Sequence, residues 1–300
     1  MNRKLILFIC LVFNLGFIAK AQPYCDFIKK VREYQNSIKV NEHSGDEYQM
    51  PEVDTTSFDI NVYMSLFDKL KLKAGKKVFL VNRYSKDSGK PVLCVQDSTF
   101  NMDKFVDEIT TKRFRHIDSL VEQLKSEFLN KNYPEEKINV LERFREFQKK
   151  SFTRNSALIQ YAIDSSRRVC NNLIPEDTPT GYLQYLFFNQ MGEQFALFWH
   201  AHSLEKTVLC DKEDVKYFLS HYNERKVYFE YEENEIRELL NIDISPVVEL
   251  DSTNCSIVWY EIHTHKGIYK NTYTIERTYP FRVKSEASEK IATISTLFFY

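Results

Sequence analysis

The sequence predicts an α+β protein, with a helix-rich N-terminal half and a C-terminal curved antiparallel β-meander covered by helices. Three observations carry this. From Asn101 to about Asn172, apolar residues recur at helical spacing. From Pro246 to Tyr300, β-rich runs alternate with turn residues. Between them lies "IPEDTPTG" (174–181), whose prolines, acids and glycine break any helix. Helices segregated from an antiparallel sheet define the α+β class.

The elements follow in order. Arg3 and Lys4 precede an apolar run from Leu5 to Ile18, and "AKAQ" places Ala19 and Ala21 at the small positions a signal peptidase reads. The expectation is a signal peptide over 1–21, cleaved after Ala21. A membrane span needs about 20 apolar residues, and this run is shorter. No later stretch is long and apolar enough, so no transmembrane segment is expected after cleavage. The mature chain from Gln22 is expected in the periplasm or outside the cell.

Residues 22–175 form a mostly helical region. Phe27, Ile28, Val31, Tyr34 and Ile38 make one helical stripe. Residues 58–72 fit both periods, and their length favours a helix. A hairpin follows near 77–97, with its turn at Asp87, Ser88 and Gly89. Asn101 is placed to cap a helix beginning "MDKFVDEI". Ile117, Leu120, Val121, Leu124 and Phe128 continue the helical pattern. Pro134, Glu135 and Glu136 open the next helix, and "SALIQYAIDSSRRV" reads as a fourth.

Residues 176–300 form an α+β region with an antiparallel sheet. "EQFALFWHAH" and "TVLC" read as strands, and Asp211 caps "KEDVKYFLSHY". "EENEIRELLNI" is a short helix. "PVVEL", "CSIVWYEIHTH", "IYKNTYTIERT", "PFRVK" and "ATISTLFFY" form the meander, with Lys266-Gly267 as a two-residue turn.

Composition narrows the function. The 23 Phe and 18 Tyr supply a real core. The 41 basic residues less Arg3, Lys4 and Lys20 leave 38 against 42 acids, so nucleic acid is not an expected partner. "KLKLKAGKK" (69–77), the one basic cluster, reads as a solvated helix end and turn. Only seven glycines are present, and neither a phosphate loop nor a dinucleotide fingerprint occurs. Gly-x-Ser-x-Gly is also absent.

Five cysteines follow the leader: Cys25, Cys94, Cys170, Cys210 and Cys255. Outside the cytoplasm cysteines tend to pair, and an odd number leaves at least one over. Disulfides are therefore expected, with their connectivity open.

Two His-x-His pairs remain. His200 and His202 follow Trp199; His263 and His265 follow Trp259. With Glu261 these imidazoles are a candidate site for zinc or another divalent metal, able to activate water for hydrolysis. Against it, His-x-His is a weak signal, and a two-residue turn sets the cation Lys270 opposite His263. That register also puts the histidines on a face with Lys270, Thr272 and Thr274, away from an apolar face bearing Tyr269, Asn271, Tyr273 and Ile275. The favoured reading is a non-enzymatic binding or interaction protein of the cell envelope. It needs no cofactor, its partner is an unspecified small molecule or protein, and its pocket is rimmed by Trp259, Tyr260, Tyr269 and Tyr273.

Overall fold

The computed structural model describes residues 23–38, 40–41, 52–53, 58–85, 88–152, 154, 156–157, 168–192, 206–224, 228–263 and 266–297. The expected signal peptide, the strand "EQFALFWHAH" and most of the helix "SALIQYAIDSSRRV" lie outside these residues. The α+β class holds. The chain divides into two compact units, Met1–Lys73 with Cys170–Tyr300, and Ala74–Val169.

Within the second unit, β4 (Lys76–Ser85) and β5 (Ser88–Asp97) form the expected hairpin, with Phe79 opposite Cys94. Ser88 and Gly89 lie in β5 rather than in the turn. Helix α3 (Met102–Asn130) begins at Asn101, whose side-chain oxygen accepts the Lys104 N–H at 2.9 Å. Helix α4 (Glu135–Ser151) starts after Pro134, which occupies the N-cap position. Lys149 bridges α4 to Asp118 of α3 at 2.7 Å.

The first unit carries the larger core. Its helix α1 covers residues 23–37, and the short strands β1 (Val40–Asn41) and β2 (Glu52–Val53) pair beyond it. Helix α2 (Ile60–Ser65) is capped by Asp59. The helix-end part of the basic-cluster expectation fails here, while residues 74–75 do form a turn. Leu70–Leu72 is strand β3, paired with β6 (Leu173–Pro175), not a helix end. The break at 174–181 thus contains a strand and then a helix start. Thr178 caps helix α5 (Pro179–Met191), and Pro179 sits in its first turn.

The sheet runs β12 (Val283–Ala292), β11 (Gly267–Glu276), β10 (Asn254–His263), β7 (Lys206–Leu209), with β9 (Val247–Leu250) also on β10. All its pairings are antiparallel. Two register shifts in β11·β12 mark where the ladder is irregular. Helix α6 (Lys212–Glu224) follows β7. Strand β8 (Tyr228–Tyr231) pairs with β13 (Ile294–Leu297), and helix α7 (Glu233–Leu239) lies between β8 and β9.

The register corrects the turn expected from sequence. His263 faces Gly267 and Trp259 faces Asn271, so the connection is longer than Lys266-Gly267. The shift is by an odd number of residues, which exchanges the two faces of β11 relative to β10. Cys255, Ile257, Trp259, Glu261 and His263 therefore share a face with Tyr269, Asn271, Tyr273 and Ile275. Packing decides this outcome. Trp259, fully buried, meets Tyr273 edge-on at 5.5 Å and Phe187 of α5 at 6.5 Å. Phe187 meets Phe27 of α1 at 5.3 Å, and Phe27 meets Phe67 at 5.4 Å. The histidine face is thus a core face over much of its length.

The opposite face is covered only in part. Tyr260, Ile262, Leu209, Ile268 and Ile294 pack with Val215 of α6 and with Ile236 and Leu239 of α7. Burial along β10 alternates up to Val258 and is then continuous from Trp259 to Ile262. Both faces are covered at that end and one at the other.

Candidate functional site

The partial cover creates a cleft. Where α7 ends, residues 243–246 lead into β9, and the even-numbered side chains of β10 lose their lid. A cavity of about 300 Å³ opens there, lined by Asp243, Ser245, Val247, Glu249, Ser256, Val258, Tyr260 and Lys270. Strand register explains the membership. Ser256 faces Glu249, Val258 faces Val247, and Tyr260 faces Lys270, so all six share one side of the sheet. Valines make the floor, while hydroxyls, two carboxylates and one ammonium make the walls. Tyr260 is buried, and its phenol pKa is raised by burial, then by the carboxylates of Glu289 and Asp243. Glu289 stands opposite Lys270 on β12. The charge around the cleft is therefore net acidic.

The other face carries a second polar group. Glu261 is 1% exposed. Its Oε2 lies 2.8 Å from His263 Nε2. Its Oε1 has no hydrogen-bond partner among the described residues, and the nearest cation, Lys206 Nζ, is 3.9 Å away. Lys206 also reaches Gln190 of α5 at 3.3 Å. The His263 ring packs on Tyr269 at 4.8 Å. Burial, then the Glu261 carboxylate, push the Tyr273 phenol up.

The structure thus separates the sequence-derived candidates. Tyr260 borders the cleft; Trp259, Tyr269 and Tyr273 lie on the opposite face. Glu261 and His263 are in contact. His200, His202 and His265 lie outside the described residues. Among the described residues, no group of three or more His, Cys, Asp or Glu is arranged to hold a metal ion. No protein-family model, no curated protein and no solved structure matches the chain.

Sequence reasoning missed Asp243, Ser245, Glu249, Ser256 and Lys270 as a group. The available signal was "NCSIVWYEIH", where small and polar residues at 254 and 256 give way to Tyr260 and Ile262 on the same face. Neither Cys210 nor Cys255 is primed for nucleophilic chemistry, which needs a lowered pKa. The Cys25 side chain, burial and the Asp214 carboxylate all raise Cys210. Burial pushes Cys255 up to about 12.

Proposed function

We propose that this is an exported, non-enzymatic binding protein whose ligand occupies the cleft over β9, β10 and β11. The cleft itself is the observation that carries the reading. Small-molecule sites span about 300–1,000 Å³ and combine an apolar lining with a few placed polar groups. Val247 and Val258 supply the first; Tyr260, Ser256, Ser245 and the flanking charges supply the second. The volume is at the low end of that range, so the ligand is small. Asp243 and Glu249 outnumber Lys270, so the ligand carries an amine or guanidinium. Calorimetric titration with a series of small amines and guanidines, beside matched carboxylic acids, tests this. Binding of the cationic series, weakened in the Asp243→Asn, Glu249→Gln double variant, supports it; equal or absent binding of both series sinks it.

A metal-dependent hydrolase is the second reading, and one contact favours it. A buried carboxylate that fixes an imidazole through Nε2 leaves Nδ1 to ligate, the arrangement in which outer-shell carboxylates orient metal ligands. Glu261 and His263 make such a contact. Elemental analysis of untagged protein tests it. About one zinc per chain, lost on His263→Ala, supports the reading; a metal-free folded protein after loading with zinc counts against it.

A further inference from the structure

We propose that Cys25 and Cys210 are joined by a disulfide that staples helix α1 to the β7–α6 junction. The two cysteines approach to 3.0 Å. The cysteines face each other symmetrically: Cys25 Sγ is 3.7 Å from the Cys210 carbonyl oxygen, and Cys210 Sγ is 3.9 Å from that of Cys25. Both are buried.

The surroundings fix this juxtaposition. Cys25, Lys29 and Arg32 are spaced i, i+4, i+7, so they line one face of α1. Each meets a partner on the β7–α6 junction. Lys29 Nζ is 2.9 Å from Asp211, and Arg32 holds Asp214 at 2.6 Å. Arg32 also donates to the Val208 carbonyl at 3.0 Å. Asp211 in turn caps α6 by accepting the Glu213 and Asp214 N–H groups. With the helix and the junction already clamped in two places, little backbone movement separates this geometry from a sulfur–sulfur bond of about 2.05 Å.

The chemistry is an exchange. Each thiol gives up its proton, the S–S bond forms, and the two electrons pass to an external disulfide, whose own S–S bond breaks to give two thiols. An oxidising compartment supplies such disulfides. The raised pKa of Cys210 suits a bond made once during folding better than a thiol that turns over. The inference is independent of the cleft and of any ligand.

The test uses the full mature chain, Gln22–Tyr300, folded in a mixture of oxidised and reduced glutathione. The protein is unfolded without reductant, alkylated, digested and weighed by mass spectrometry. The expected result is one linked peptide pair, Cys25 with Cys210, and alkylation of both cysteines only after reduction. In the Cys25→Ser variant, Cys210 becomes alkylated without reductant. Alkylation of both Cys25 and Cys210 in unreduced wild-type protein overturns the proposal. So does linkage of either one to a different cysteine.

Discussion

Replacing Arg32 by Met tests how burial sets the worth of an ion pair in this chain. Arg32 and Asp214 are paired at 2.6 Å, with side chains 15% and 8% exposed. One turn away, Lys29 and Asp211 are paired at 2.9 Å, with side chains 46% and 38% exposed. Removing one member of a buried pair leaves the other charged and unpaired, at a cost of about 3–5 kcal/mol. Asp214 would keep one donor, the Cys210 N–H at 2.8 Å, which places the loss near the lower end. The Arg32 donation to Val208 disappears as well. Lys29→Met breaks a solvated pair, worth about 0–1 kcal/mol. Arg32→Met should therefore lose about 3 kcal/mol and Lys29→Met under about 1 kcal/mol. Urea unfolding under reducing conditions, followed by tryptophan fluorescence, reads the difference. The chain's two tryptophans, Trp199 and Trp259, both lie outside 74–169, so the signal reports the larger unit. Equal losses, or a loss under about 1 kcal/mol for Arg32→Met at unchanged denaturant slope, would refute the burial argument.

Two further outcomes follow from local geometry. Gly267→Ala should destabilise the larger unit by more than about 1 kcal/mol, read in the same assay. Its φ is +127°, and a Cβ there would sit 2.0 Å from the Ala292 carbonyl oxygen; a variant as stable as wild type would contradict this. Asp177→Asn should lower thermal stability at neutral pH. Hydrogen bonds from Arg277, then from Tyr182, hold the Asp177 carboxyl below its usual range. A depressed folded pKa contributes stability above the unfolded value of about 3.9, and that contribution vanishes as pH falls through the folded pKa. The gap between variant and wild type should therefore close in acid; a gap constant with pH rules the linkage out.

Much of the fold was legible because its signals were local. Asn101 and Asp211 cap the helices that the sequence assigns to them, and β9, β10 and β11 follow the alternating runs of the expected meander; β12 extends through "SEASEKIA", which carries no strand pattern, and β13, from "ATISTLFFY", pairs with β8 in a separate sheet. Helix α5 was not legible. Residues 181–188 of α5 are all buried, so the helix has no polar face to reveal its period. Thr178 and Pro179 were its only local marks. The register of β10 on β11 was misread because Gly267 looked like a turn residue. Its real constraint is the close approach of Ala292 on β12, which no local pattern encodes. That error placed Lys270 beside His263, when it stands opposite Tyr260 at the cleft. The cleft depends on where α7 stops covering the sheet, a property of packing between distant segments. Contact between Glu261 and His263, two apart on one strand, was legible, but the burial of Glu261 was not.

Chemical-shift mapping on the isotopically labelled chain from Gln22 to Tyr300, titrated with the tightest-binding amine or guanidine, tests the proposed binding cleft most directly. The shifts should saturate and cluster at Ser245, Glu249, Ser256, Val258 and Lys270, with the Trp259 face unmoved. Saturating shifts centred elsewhere, or none with any cationic ligand, would contradict it.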